Sequence, residues 1–116
     1  MKMRYEVVWA HVAENDLISI IEHIAQDNPI NASRILERIK DKASNLTDSP
    51  ERGRLVPELL DQGISKYREL VIPPWRVIYT IGQDRVYVLS VLDSRRNIED
   101  VLLNRLVRLK GSSNTA

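Results

Sequence analysis

The chain has 116 residues, the length of one domain with a sizeable core. Hydrophobic residues make up 43% and charged residues 28%, as in ordinary soluble globular proteins, and the absence of cysteine excludes disulfide bonds and thiolate chemistry. The formal net charge of +1 argues against a protein that is held to nucleic acid mainly by bulk charge.

The first half of the chain predicts one strand followed by two helices. In "RYEVVWA" alternate positions carry Tyr5, Val7 and Trp9, a pattern typical of a half-buried strand. An apolar stripe at helical spacing follows, formed by Leu17, Ile20, Ile21 and Ile24. Asn28 and Pro29 then predict the N-cap and the first turn of a second helix. We therefore expect an antiparallel helical hairpin after the strand.

The second half of the chain changes to the periodicity of strands. "YRELVI", "WRVIYTI" and "RVYVLSVL" predict three strands, separated by Pro73-Pro74 and by the turn sequence "GQD". The signals that follow predict a last helix from Asn97 to Lys110, because acidic residues come first and basic residues last. We expect residues 111–116 to be a disordered tail. The predicted order is β-α-α-β-β-β-α, a single α+β domain over residues 1–110.

Several kinds of site are excluded by what the sequence lacks. His11 and His23 are the only histidines, and no carboxylate cluster accompanies them at metal-ligand spacing. None of the glycines forms a phosphate-binding loop, and no catalytic serine motif is present. We therefore expect neither a metal nor a cofactor. No segment resembles a signal peptide or reaches membrane-spanning length, so we expect a cytoplasmic protein without membrane contact.

Arginines recur through the predicted strands, and their positions differ in meaning. Arg68 and Arg85 lie at strand ends, where the guanidinium can reach water and Glu69 can pair with a nearby arginine. Arg76 follows a tryptophan and precedes an apolar run, so its burial requires a carboxylate or a phosphate partner. A further pair, Arg95 and Arg96, follows the last strand, a common place for functional groups.

Taken together, these segments resemble a known family. "NP" between two helices, "SPERGRLVPEL", "YRELVI", "WRVIYTI" and "VYVLSVLDSRRN" resemble the RelE/ParE toxins of bacteria, the toxic halves of type II toxin–antitoxin modules for plasmid stabilisation or stress. The resemblance implies a helical hairpin packed on a small, curved, mainly antiparallel sheet, with a C-terminal helix. It also implies a cognate antitoxin encoded beside the toxin, with operator DNA bound only through that antitoxin.

The resemblance implies two alternative activities. RelE-like toxins cut messenger RNA in the ribosome, whereas ParE-like toxins poison DNA gyrase. Arg76 matches an arginine of the nucleases, Arg95 or Arg96 matches a second one, and Glu58 is either a base or a framework residue. The lysine cluster and the C-terminal Tyr or His of several nucleases have no counterpart here, and this absence favours the ParE branch. A module that only binds the antitoxin is a third alternative.

For the ParE alternative, the sequence predicts a set of arginines that contact the target. The rim of the sheet and the last helix contribute Arg95, Arg96, Arg105 and Arg108, and the strands contribute Arg68 and Arg76. Arginine suits such a surface because its planar fork pairs with carboxylates and stacks on aromatic rings. We also expect Arg76 to serve function more than stability, so that replacement by alanine leaves the fold intact.

Overall fold

The computed structural model describes residues 4–95 and 99–105. One sheet contains the strands β1 (Glu6–Trp9), β2 (Arg54–Leu55), β3 (Tyr67–Ile72), β4 (Trp75–Ile81) and β5 (Arg85–Asp93). The helices of these residues are α1 (His11–Asp27), α2 (Pro29–Ser44), α3 (Pro57–Leu60) and the helical residues 99–105, here α4. The predicted α+β class and element order are confirmed, and β2 and α3 are additions that the sequence did not predict.

The helical hairpin forms where the sequence predicted it. The side-chain oxygen of Asn28 accepts a hydrogen bond from the backbone N–H of Asn31 at 3.0 Å, and Pro29 occupies the first helical position. The same Asn28 ends the preceding helix, because its backbone N–H donates to the carbonyl of Ile24 at 2.9 Å. One residue thus ends α1 and begins α2, which forces the tight antiparallel arrangement.

The strand order in the sheet is β1-β5-β4-β3-β2. Neighbouring strands are antiparallel except β1 and β5, which pair in parallel. The parallel pair arises because the chain leaves β1 through the hairpin and returns to its side only with the last strand. The mainly antiparallel sheet that the resemblance implied is therefore confirmed.

The two faces of the sheet bury separate apolar clusters. On the hairpin face, which packs against α1 and α2, Val77, Val86 and Val88 are fully buried together with Tyr79. On the opposite or outer face, α3 and α4 pack over a smaller cluster that contains Leu59, Ile78, Leu92 and Leu102. Each fully buried side chain of this size contributes about 1.5–3 kcal/mol of transfer free energy. The outer cluster therefore fixes α3 and α4 on the sheet.

Some predicted features lie beyond the described part of the chain. Outside the described residues lie Arg96, Asn97, Arg108 and residues 111–116, and with them the predicted start of the last helix and the predicted tail. Within residues 4–95 and 99–105, no helix combines the length and the apolar character that crossing a membrane requires.

Candidate functional site

Arg76 lies on β4, on the outer face of the sheet, and is 6% exposed. Its Nε donates to Oε1 of Glu69 at 2.6 Å. Its terminal nitrogens donate to the two carboxylate oxygens of Glu58, from Nη1 at 2.7 Å and from Nη2 at 2.6 Å. This bidentate pairing is among the strongest arrangements of a guanidinium and a carboxylate. The partner that burial of Arg76 required is therefore a pair of carboxylates of the same chain.

Glu69 connects Arg76 to a second arginine. Its side chain is 0% exposed and accepts a hydrogen bond from Nε of Arg54 at 2.7 Å. Arg54 lies on β2 directly opposite Glu69, so the strand register brings the two side chains together. The side chain of Arg54 is 60% exposed and extends the group to the surface. We call Arg54, Glu58, Glu69 and Arg76 the arginine–glutamate cluster, in which the charges balance.

The two sides of the bidentate pair hold each other in the charged form. The hydrogen bond from Arg76 lowers the pKa of Glu58, against a smaller opposing effect of burial. The hydrogen bond to Glu58 likewise raises the pKa of Arg76, with Glu69 adding to the effect. Since a carboxylate with a lowered pKa binds protons weakly, Glu58 stays ionised at neutral pH.

The loop before β2 determines where Glu58 lies. The backbone N–H of Gly53 donates to the hydroxyl of Tyr79 at 2.9 Å, and this hydroxyl donates to the carbonyl of Pro50 at 2.7 Å. Nη1 of Arg68 donates to the carbonyl of Gly53 at 2.8 Å. Burial raises the pKa of Tyr79, so its hydroxyl remains a donor at neutral pH. These bonds hold the loop against β3 and β4 and so position α3 with Glu58.

The remaining predicted arginines lie apart from the cluster. The Arg95 side chain, 73% exposed, follows β5 and donates to Asp93 from Nε at 2.9 Å and from Nη2 at 2.6 Å. Arg105 of α4 donates to Asp16 of α1 from Nη1 at 2.6 Å and from Nη2 at 3.0 Å, and it also contacts the hydroxyl of Ser90. Arg105 therefore ties α4 to α1 and β5, whereas Arg95 reaches solvent.

An apolar groove of about 730 Å³ opens on the hairpin side, beside the edge strand β1. Its apolar wall is formed by Val7, Trp9, Leu17, Ile18, Ile21 and Leu36. Glu14, Glu22 and Lys40 supply charged groups along it. Among the described residues, β1 pairs only with β5, so its outer edge carries backbone groups without a strand partner. The groove thus combines apolar surface with a free strand edge.

Comparison with known proteins identifies the family. Residues 7–98 match the family described as the ParE toxin of the type II toxin–antitoxin system parDE. The chain belongs to this toxin family. The toxin is similar to Toxin RelE2 of Caulobacter vibrioides, with 35% identity over 92 residues that cover 78% of this chain and 97% of the relative. It is therefore a toxin of a type II system, in a family whose members carry both ParE and RelE names.

Solved structures of low sequence identity share the toxin's fold. A chain of the chromosomal ParDE toxin–antitoxin system from P. aeruginosa has a TM-score of 0.65 at 17% identity, over 78% of the toxin and 96% of that chain. A chain of the RelBE2 toxin–antitoxin complex from Mycobacterium tuberculosis has a TM-score of 0.56 at 22% identity, over 80% of the toxin and 94% of that chain. At such identities the likeness extends to the fold alone.

The structure brings together only some of the predicted site residues of the toxin. Arg76 and Glu58 are in contact, and Arg68 supports the loop before β2, which helps to position α3 and Glu58. Arg54 and Asp16 were missed as partners, because their positions beside Glu69 and Arg105 depend on strand register and helix packing. Among the described residues, no three His, Cys, Asp or Glu side chains form a group able to hold a metal ion.

Proposed function

We propose that this toxin arrests bacterial growth by ParE-like binding to DNA gyrase. The observation that supports the proposal most is the bidentate pairing of Arg76 with Glu58 in a side chain that is 7% exposed. A guanidinium that already binds two carboxylates is poorly placed to stabilise a phosphate of RNA. The cluster therefore suits a framework role, and a toxin that acts by binding a protein needs no catalytic group.

The chemistry of RNA cleavage supports the same choice. Cleavage without a metal needs a base for the 2′-hydroxyl, a cation for the phosphorane and an acid for the leaving oxygen. Glu58 is a weak base here, because Arg76 lowers its pKa. His11 and His23 lie exposed on α1, which packs on the hairpin face, whereas the cluster lies on the outer face. No histidine therefore stands beside Arg76 to act as base or acid.

A RelE-like messenger RNA nuclease is the alternative. The observation in its favour is the contact between Glu58 and Arg76, since a carboxylate beside an arginine is also the pair that such a reaction would use. A binding module without toxicity is a third alternative. In the nuclease, RNA would have to displace Glu58 from Arg76, and the carboxylate would then lose the interaction that lowers its pKa.

Purified toxin separates these alternatives in two parallel assays. The first measures supercoiling and double-strand cleavage of plasmid DNA by gyrase, and the second measures cleavage of messenger RNA on translating ribosomes. We expect inhibition of gyrase, intact messenger RNA, and reversal on addition of the antitoxin. Ribosome-dependent cleavage with unaffected gyrase would contradict the proposal and favour the nuclease. The absence of both effects, together with normal growth on induction, would favour the binding module.

We further propose that the antitoxin binds in the groove beside β1 with an amphipathic segment. A helix laid on apolar side chains and a strand added to a free edge are the two common ways in which a peptide binds such a surface. The groove offers both features, and Ile18 on its wall is 53% exposed. Burying this apolar surface would stabilise the complex through the hydrophobic effect.

A charge placed in the groove tests the antitoxin site. We expect Ile18→Arg to weaken antitoxin binding by about two orders of magnitude, because a charge in a buried apolar contact costs several kcal/mol. The matched control is Val12→Arg, since Val12 is also an exposed apolar residue of α1, at 44%, and does not line the groove. Copurification and calorimetry measure binding. Equal affinities of both variants would place the antitoxin elsewhere.

A further inference from the structure

A row of side chains crosses the outer face of the sheet at the end that is distant from Arg76. Val8, Tyr87, Thr80 and Tyr67 stand opposite one another on β1, β5, β4 and β3. Tyr87 is 37% exposed and the other three residues are half-buried, so the row reaches solvent. We call these four residues the tyrosine row.

The ring of Tyr87 is held in place by its neighbours. It lies against Gly82 in the turn between β4 and β5, where an added Cβ would be 3.2 Å from Cε2 of Tyr87. A hydrogen bond with Tyr87 raises the pKa of Arg85. Nε of Arg85 also lies 3.5 Å from Oε2 of Glu6. Across the row, Nζ of Lys66 is 5.3 Å from the centre of the Tyr67 ring. Both tyrosines are therefore positioned before any partner arrives, which reduces the entropy lost on binding.

The charges around the tyrosine row distinguish between classes of partner. Single-stranded nucleic acid also stacks on exposed aromatic rings, but it requires a track of uncompensated positive charge. Here Arg85 is paired with Glu6 and lies near Asp84, and Lys66 stands over the ring of Tyr67, so these two cations do not form a continuous positive track. Exposed tyrosine beside a paired arginine is instead typical of the contact centres between proteins, where Tyr and Arg are enriched.

We propose that the tyrosine row is the surface by which the toxin binds its target protein. The proposal rests on the proposed function, in which the target is a protein rather than RNA. The antitoxin groove uses Val7 and Trp9 on the hairpin face, whereas the row uses the opposite face. Target and antitoxin therefore contact different sides of the sheet, and substitutions in the row separate toxicity from antitoxin binding.

The test compares two row variants with a matched control. Tyr87→Ala removes the exposed ring, and Thr80→Lys introduces a charge into the middle of the row. The control is Ser19→Lys, which makes the same type of change at an exposed position of α1 that does not line the groove. Each full-length variant is assayed for growth arrest on induction and for affinity to the antitoxin.

We expect induction of either row variant to leave about tenfold or more surviving colonies than induction of the parent, because a contact centre for the target is lost. Both variants should bind the antitoxin as the parent does. Ser19→Lys should match the parent in both measurements. Retained antitoxin binding shows that a variant is folded, and Thr80→Lys decides the outcome if Tyr87→Ala fails to fold. Full toxicity of a folded Thr80→Lys variant would overturn the proposal.

Two further measurements separate this surface from the identity of the target. If the parent arrests growth and leaves gyrase active, the proposed function fails, but loss of arrest in Thr80→Lys still supports the row. A further outcome is that the parent binds a single-stranded RNA oligonucleotide and that Thr80→Lys or Tyr87→Ala abolishes this binding. That result would overturn the protein-binding role. A parent dimer that becomes monomeric in the row variants would also overturn it, since the row would then join two toxin copies.

Discussion

Removing the guanidinium of Arg76 leaves the carboxylates of Glu58 and Glu69 facing each other, one of them fully buried. We therefore expect Arg76→Ala to destabilise the toxin by about 3 kcal/mol or more, because Glu58 loses its bidentate partner and the buried Glu69 keeps only Arg54. From sequence alone this variant is expected to keep its fold with little change, and the two carboxylates reverse that expectation. Urea unfolding of Arg76→Ala beside Arg54→Ala measures the difference. Since Arg54 is 60% exposed, its loss should cost about 1 kcal/mol or less.

The pairing of Glu58 with Arg76 also predicts how stability depends on pH. The pKa of Glu58 is lower in the folded toxin than in the unfolded chain, so the unfolded chain binds the proton more readily. This contribution to stability is complete above the ordinary carboxyl pKa of about 4.3 and is lost as the pH falls through the folded value. The Glu58→Gln variant should lose less stability than the parent between about pH 5 and pH 3. Equal acid sensitivity would indicate that other carboxylates dominate.

At the scale of elements, the loop before β2 depends on Gly53. A Cβ on this residue would lie 2.4 Å from the backbone oxygen of Glu69 and 2.6 Å from the hydroxyl of Tyr79. Because the strand backbone cannot move aside cheaply, we expect Gly53→Ala to destabilise the toxin by about 2–4 kcal/mol. Tyr79→Phe removes only the hydrogen bonds to the loop and should cost about 1–2 kcal/mol. Thermal unfolding that ranks the two variants in the reverse order would contradict this account.

The sequence predicts the larger elements because each has a local signal. The stripe of Leu17 and Ile21 defines α1, and Asn28 with Pro29 defines the start of α2. The two-residue strand β2 and the four-residue helix α3 have no comparable signal. They form because Arg54 and Val56 pair with β3 and because Leu59 packs on the sheet, contacts that depend on distant parts of the chain.

The candidate site, too, could be predicted from the sequence only in part. The sequence indicates that a buried Arg76 needs an anion and identifies Glu69 as a possible partner of a nearby arginine. It does not indicate that Glu58 supplies the bidentate contact, because Glu58 reaches Arg76 only through the position of α3. The tyrosine row is likewise invisible before the sheet register is known, since its four members belong to four strands.

At the scale of the whole molecule, Arg95 stands at the opposite end of β5 from the tyrosine row, and its role as a target contact stays a prediction. If the toxin inhibits gyrase as proposed, we expect Arg95→Ala to weaken that inhibition several-fold without unfolding the toxin, since exposed ion pairs contribute little to stability. Supercoiling assays with increasing toxin concentration measure the change. Arg34→Ala, at an exposed position of α2, is the control for loss of one positive charge. Identical inhibition by the parent, Arg95→Ala and Arg34→Ala would exclude Arg95 as a target contact and leave it only its ion pair with Asp93.

The parallel pairing of β1 with β5 has a consequence for the synthesis of the toxin. The carboxylate that caps the backbone N–H of Val91 belongs to Asp16, 75 residues earlier, and Asp16 also binds Arg105, 89 residues later. Because β1 pairs with β5, its strand partner is missing until β5 has left the ribosome. Contacts between residues so far apart in sequence also slow folding. We therefore expect the nascent chain to lack the complete sheet, and with it toxicity, until β5 has been synthesised. An antitoxin already present in the cell can then bind the toxin as soon as its sheet is complete.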